Sequence, residues 1–191
     1  MATIGFDKIT FGVHKVGEDG GAVTIEKVVA DKAKGGAIDG KITGLGATTN
    51  TVYASNVPFF IAAQGVSSPK LTLQVADLLD NDIYSKITGV EDVDGYNVVG
   101  ANTKPPYVSV MLQTATKEGV PLYMGLTKGK FAHPDMEVKT AEDKGVELNT
   151  DEIEGDFISD ERGYVYITKV GGAEVTEETV WQFITNTTPK P

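Results

Sequence analysis

The stretch VPLYMGLTKGKF, Val120–Phe131, decides the fold class. Val120, Leu122, Met124 and Leu126 are apolar at every second position, with Tyr123, Gly125 and Thr127 between them. A strand sends alternate side chains to opposite faces, so this period reads as a β-strand with one core-facing side. Gly125, on the other side, leaves room for a neighbouring backbone or side chain. Lys128 and Lys130 flank Gly129 at the end of the run, which carries almost no catalytic chemistry. Just upstream, Tyr107–Thr114 is a second strand candidate, and the intervening ATKEG reads as a hairpin loop.

Outward from this hairpin the same signal recurs. Strands are expected at Ile4–Val13, Val23–Val29, Ala37–Leu45, Thr48–Tyr53, Phe59–Ala63, Leu71–Ala76, Ile153–Ile158 and Tyr164–Ile167. About ten short strands at close turn spacing predict a mainly β chain, an antiparallel β-sandwich or half-barrel. One or two short helices flank it. In DNDIYSKITG, Asp80 suits the N-cap, Ile83 and Ile87 share a face, and Gly89 suits a left-handed C-terminal cap. In VTEETVWQFITN, Thr176 suits the N-cap and Glu177 and Glu178 the first turn, with Val180 and Ile184 on one face. EVKTAEDKGVELNTDE is polar and charged, as a long surface loop would be. The expectation is a single domain over 1–191, with a loose tail from about 186.

Composition excludes several functions. Cysteine is absent, which removes disulfides, thiolate metal sites and thiol nucleophiles and fits a reducing compartment. MATIGFDKITFG has no apolar h-region of a secretory signal, and no apolar run approaches the ~18 residues of a membrane span. A net charge of −10 argues against tight nucleic-acid binding.

The search for reactive chemistry comes back nearly empty. The two histidines, His14 and His133, have no histidine or carboxylate at metal-ligand spacing. G-x-S-x-G and the P-loop are absent, and Gly44–Gly46 reads as a turn. DLLDND and EDVDG hint at calcium, but no glutamate closes a loop after Asp92-x-Asp94-Gly95, so a capped helix and a hairpin turn explain them better. In DEIEGDFI, Glu152, Glu154 and Asp156 alternate with Ile153 and Phe157, predicting a continuous anionic stripe on one face of a sheet. Nothing marks one of these acids as desolvated, so they read as a solvated face rather than a catalytic pair.

Five segments, in order, resemble the major tail proteins (tail tube proteins) of long-tailed phages, siphoviruses, of Gram-positive bacteria. These are TIGFDKITFGVHKV, TVYASNVPFF, KLTLQVADL, the long PPYVSVMLQTATKEGVPLYMGLTKGKFAHPDMEVKT, and DEIEGDFISDERGYVY. The resemblance implies a non-catalytic structural subunit, with no cofactor or metal and no membrane contact. It implies self-assembly into stacked hexameric rings forming a tube around a tape-measure protein. Tail terminator and baseplate proteins would be further partners, and DNA would pass through without specific binding. The protein would reside in the virion, after assembly in the host cytoplasm. A tube that transmits a polyanion must not hold it, so Glu152, Glu154 and Asp156 are expected to line the lumen. Ser55, Asn56, Val57, Pro58, Phe59 and Phe60 are expected as a loop that orders on contact with the next subunit. The alternative is a non-catalytic β-sandwich binding module, carbohydrate- or adhesin-like, although the single tryptophan and scattered tyrosines suit it poorly. A metal-dependent hydrolase lacks the ligands.

Overall fold

The computed structural model describes residues 3–16, 23–54, 57–77, 82–135 and 150–187. Twelve strands are present among them: β1 (Thr3–Lys15), β2 (Thr24–Ala30), β3 (Ala37–Thr43), β4 (Thr48–Ala54), β5 (Val57–Gln64), β6 (Lys70–Val75), β7 (Glu91–Val93), β8 (Tyr96–Val98), β9 (Val108–Thr116), β10 (Pro121–Phe131), β11 (Asp151–Ile158) and β12 (Tyr166–Val170). Two helices join them, α1 (Asp82–Thr88) and α2 (Glu177–Thr185). The main sheet runs β2-β1-β9-β10-β11-β6-β3, antiparallel throughout, with β12 added against β10. It curls, so that a side chain at Gly40 of β3 would meet the Phe6 ring of β1 at 3.3 Å. The expected mainly β, half-barrel architecture with two short helices is what the chain adopts.

β10 organises the sheet. One edge pairs with β9; the other is shared, Leu122–Leu126 facing β12 and Lys128–Phe131 facing β11. Thr127 sits at the changeover, where the register with β9 also shifts. Its backbone N–H donates to Val165 O at 3.0 Å and its hydroxyl to Tyr164 O at 2.6 Å, while its carbonyl accepts from the Ser109 hydroxyl at 2.5 Å. The irregularity therefore leaves these Thr127 groups paired, as a buried backbone requires.

Both faces of the centre are covered. On one, Ile9, Phe11, Leu71, Leu73, Val110, Leu126, Phe131, Ile153 and Phe157 pack with Ile83 and Ile87 of α1. Phe131 takes Phe11 and Phe157 edge-on, at 5.8 and 5.9 Å between ring centroids. Each fully buried side chain of this size contributes roughly 1.5–3 kcal/mol. On the other face α2 lays Val180, Trp181 and Ile184 over Met111 and Tyr123. Ile184 fills the space above Gly125, and a side chain at Gly12 would come within 2.8 Å of the Trp181 ring. The room expected at Gly125 is thus taken by the chain's own helix. Val120, expected in the core with Leu122, precedes β10 and is 36% exposed.

α2 begins as its sequence suggests. Thr176 caps it in a reciprocal box with Thr179, and Lys8 pairs with Glu177 at 2.6 Å. Asn186, in the left-handed region at φ 55°, closes it, and Thr187 N donates to Gln182 O at 3.0 Å. The rest of the expected loose tail, the Asp80 cap of α1 and nearly all of the expected loop at 137–152 lie outside the described residues. Gly89 ends α1 with φ 71° and donates to Ser85 O, as expected. β12 starts two residues later than expected, because Tyr164 leaves the strand to stack on Phe183.

Candidate assembly surfaces

Along β11 burial alternates strictly: Ile153, Gly155 and Phe157 are buried, while Glu152, Glu154 and Asp156 are exposed. The three acids therefore share a solvent face, but they do not form the continuous anionic stripe expected. On β6, Lys70, Thr72 and Gln74 stand opposite Asp156, Glu154 and Glu152. Lys70 pairs with both Glu154 and, at 3.5 Å, Asp156. The Glu154 hydrogen bond and then the Asp156 charge raise the Lys70 pKa. Gln74 donates to Glu152 at 3.2 Å. Lys41 and Asp39 on β3 and Lys130 on β10 complete the rows. Charge on this face is graded along the strands, from alternating Lys130–Asp156–Lys70 at one end to Glu152–Gln74–Asp39 at the other. The sequence hid this because the neutralising lysines come from strands distant along the chain.

The second expected site is a hairpin rather than a loop. Val57, Pro58, Phe59 and Phe60 lie in β5, which pairs with β4 in a two-stranded sheet of its own. Ser55 and Asn56 lie outside the described residues. Proline is tolerated because an outer edge of a two-stranded ribbon needs no N–H, and a bulge falls at Val52/Tyr53 beside it. Residues 48–64 contain no charged side chain. Tyr53 is 66% exposed and Phe60 59%. At the hairpin's base, Ser67 N and its hydroxyl donate to Gly44 O at 3.2 and 3.1 Å. Gly44, at φ 71°, has no space for a side chain against Ser68.

Sequence reasoning missed a third surface. β12 pairs with β10 along one edge, and its other edge carries no backbone partner among the described residues. Beside it, β12 and α2 enclose a groove of about 580 Å³ with apolar walls from Ile167, Val175, Val180 and Phe183. Arg162 closes one end of α2. Its Nη2 donates to Phe183 O at 2.8 Å, its guanidinium lies over the Tyr164 and Phe183 rings, and Asp160 pairs with it at 2.6 Å. Burial pushes the Asp160 carboxyl up, but hydrogen bonds from Arg162 and the Tyr164 backbone outweigh it and hold the pKa low.

Neither histidine has catalytic surroundings. Ser109 donates its one hydroxyl proton to Thr127 O, so His14 Nε2, 2.8 Å from Ser109 Oγ, must be the donor. That is the reverse of a base activating a nucleophile. Burial, then the Lys128 charge, lowers the His14 pKa. His133 Nδ1 donates to Pro134 O at 2.8 Å and its ring packs edge-on to Tyr84. In the Asp92–Gly95 turn, Asp92 accepts from Gly95 N at 2.8 Å, and among the described residues no group of acids and histidines could hold a metal ion. Trp181 is buried between α2 and the sheet, so it offers no stacking platform for a sugar. No helix among the described residues is long and apolar enough to cross a membrane.

Among known families, a family model described as phage tail tube protein matches residues 1–163. No curated protein matches the chain in sequence. Among solved structures, a chain of the six-fold-symmetrised anti-feeding prophage baseplate is similar over 91% of this chain and 98% of its own, at 9% identity and a TM-score of 0.49. A chain of the anti-feeding prophage tube-terminating cap is similar over 85% and 88%, at 12% identity and a TM-score of 0.44.

Proposed function

Because the chain belongs to the phage tail tube protein family, we propose that copies of it stack as hexameric rings into the conduit of a siphovirus tail. The single observation that carries this is the family match, which spans β1 through β11. The subunit is a structural part of the virion tail. In this proposal it assembles in the cytoplasm of a Gram-positive host around a tape-measure protein, meets terminator and baseplate proteins at its ends, and has no enzymatic role. The chain acts as a single tube domain over 1–191. The uncharged hairpin supports the inter-subunit role assigned to residues 55–60, since an exposed two-stranded ribbon is marginal alone.

The face of Glu152, Glu154 and Asp156 lines the lumen in this proposal, and its mixed charge suits passage without capture. Four carboxylates there (with Asp39) are balanced by Lys41, Lys70, Lys128 and Lys130, which leaves no basic surplus to hold DNA by counterion release. Electron microscopy of the concentrated protein tests the assembly: hollow tubes with six-fold end views are expected. Monodisperse monomers at every concentration and salt would count against it.

A further inference from the structure

The hairpin presents exposed Tyr53 and Phe60, and elsewhere an apolar groove lies beside the β12 edge. We infer that the free edge of β12, with the apolar groove between β12 and α2, docks the β4–β5 hairpin of a second copy. This rests on the tube reading above, and specifies which surfaces meet.

Three observations converge. First, β12 is an edge strand whose outer ladder edge over Tyr166–Val170 has no partner among the described residues, and such an edge is a template for an added strand. The part of β5 beyond Pro58, residues 59–64, has a backbone N–H at every position and is long enough to cover it. Second, strand addition gains affinity from the backbone and selectivity from pockets beside the edge. Here the pocket is the groove walled by Ile167, Val175, Val180 and Phe183, and the exposed ring of Phe60 on β5 matches its apolar walls. Third, the charge balance points to a second copy. Each chain carries −10, so two copies repel unless they meet through neutral surface. Residues 48–64 are uncharged, and at the groove rim Lys169 and Glu174 offset each other. The hairpin does not pair with β12 of its own chain, so the edge is left for another. Donor and acceptor are different surfaces, and such a head-to-tail contact generates rings or filaments rather than closed pairs.

The absence of cysteine makes the test clean. Ala63→Cys on β5 and Thr168→Cys on β12 are made separately, both at exposed positions. The two proteins are mixed, assembled and treated with a short bismaleimide, so that a linked dimer forms only between copies. Docking holds the thiols at high effective concentration, so about tenfold more linked dimer is expected than from Ala63→Cys mixed with Tyr96→Cys. Tubes that give no more linkage than this control overturn the docking and leave the tube reading intact. An unmutated protein that forms neither rings nor tubes overturns both. Phe60→Lys and Phe60→Leu form a second arm, independent of cysteine. Both should keep the unassembled protein's melting temperature, and only the lysine should abolish assembly. A lysine variant that assembles like the parent overturns the proposal.

Discussion

Ile184 of α2 rests directly on the bare backbone of Gly125 in β10. Ile167 crowds the same spot, so a methyl group there can be accommodated only by displacing these two side chains or lifting the helix. Gly125→Ala is expected to cost about 1–3 kcal/mol in denaturant unfolding, as overpacking does. Adding Ile184→Val should recover part of that loss. Full additivity of the two costs would show that the residues do not share the space.

The Arg162 clamp predicts an unusual intolerance of a same-charge change. Lysine keeps the Asp160 attraction but loses the planar stack on Tyr164 and Phe183 and the hydrogen bond to Phe183 O. Arg162→Lys should lower stability by about 1–2 kcal/mol, with the loss localised by hydrogen exchange to the end of α2. Uniform protection across α2 in the variant would contradict this.

His14 predicts how stability follows pH. Burial and Lys128 lower its folded pKa beneath the ordinary 6.5, so the unfolded chain binds the extra proton first. Its contribution is complete above 6.5 and is lost as pH falls from there through the folded pKa. Asp160 and Glu161 line the same pocket, and Asp160, with its lowered pKa, adds its own loss only at more acidic pH. Between about pH 7.5 and about pH 5.5 the parent protein should lose melting temperature, and His14→Gln should lose less. Parallel curves would remove His14 from the account.

The lumen assignment predicts a salt-sensitive defect. Replacing Glu152, Glu154 and Asp156 by lysine moves the chain from −10 to −4, because each of the three changes adds two charges. It also sets two new ammonium groups beside Lys70. Tubes should still form, since exposed pairs of this kind contribute at most about 1 kcal/mol. DNA ejection should slow at low salt and recover as salt screens the contact. Ejection at the normal rate in low salt would place this face outside the channel.

How much of this was legible in sequence depended on how far apart the partners lie along the chain. The alternation in β11 announced its buried and exposed sides because a strand's period is a local property. So did the Thr176 cap and the Gly89 stop, where a side chain or a positive φ acts within one turn. That β10 is buried on both faces could not be read, since the cover comes from α2, whose Ile184 lies more than fifty positions after the Gly125 it covers. The same holds for Lys70, which cancels acids that sequence alone presents as a bare stripe. Pro58 suggested a loop because a proline interrupts a ladder, yet a two-stranded ribbon has an edge where that loss costs nothing.

The hairpin is an insertion between two strands that are already each other's neighbours. β3 and β6 zip together up to Thr43 and Lys70 without it, and the Gly44–Ser67 hydrogen bonds seal the junction behind them. The body's fold and the hairpin's composition are therefore energetically separate ledgers. Residues in the hairpin can be exchanged, lengthened or shortened with little consequence for whether the subunit folds. Such a protein can change what it recognises while its architecture stays fixed, and a defect in that segment would yield well-folded subunits that fail to join.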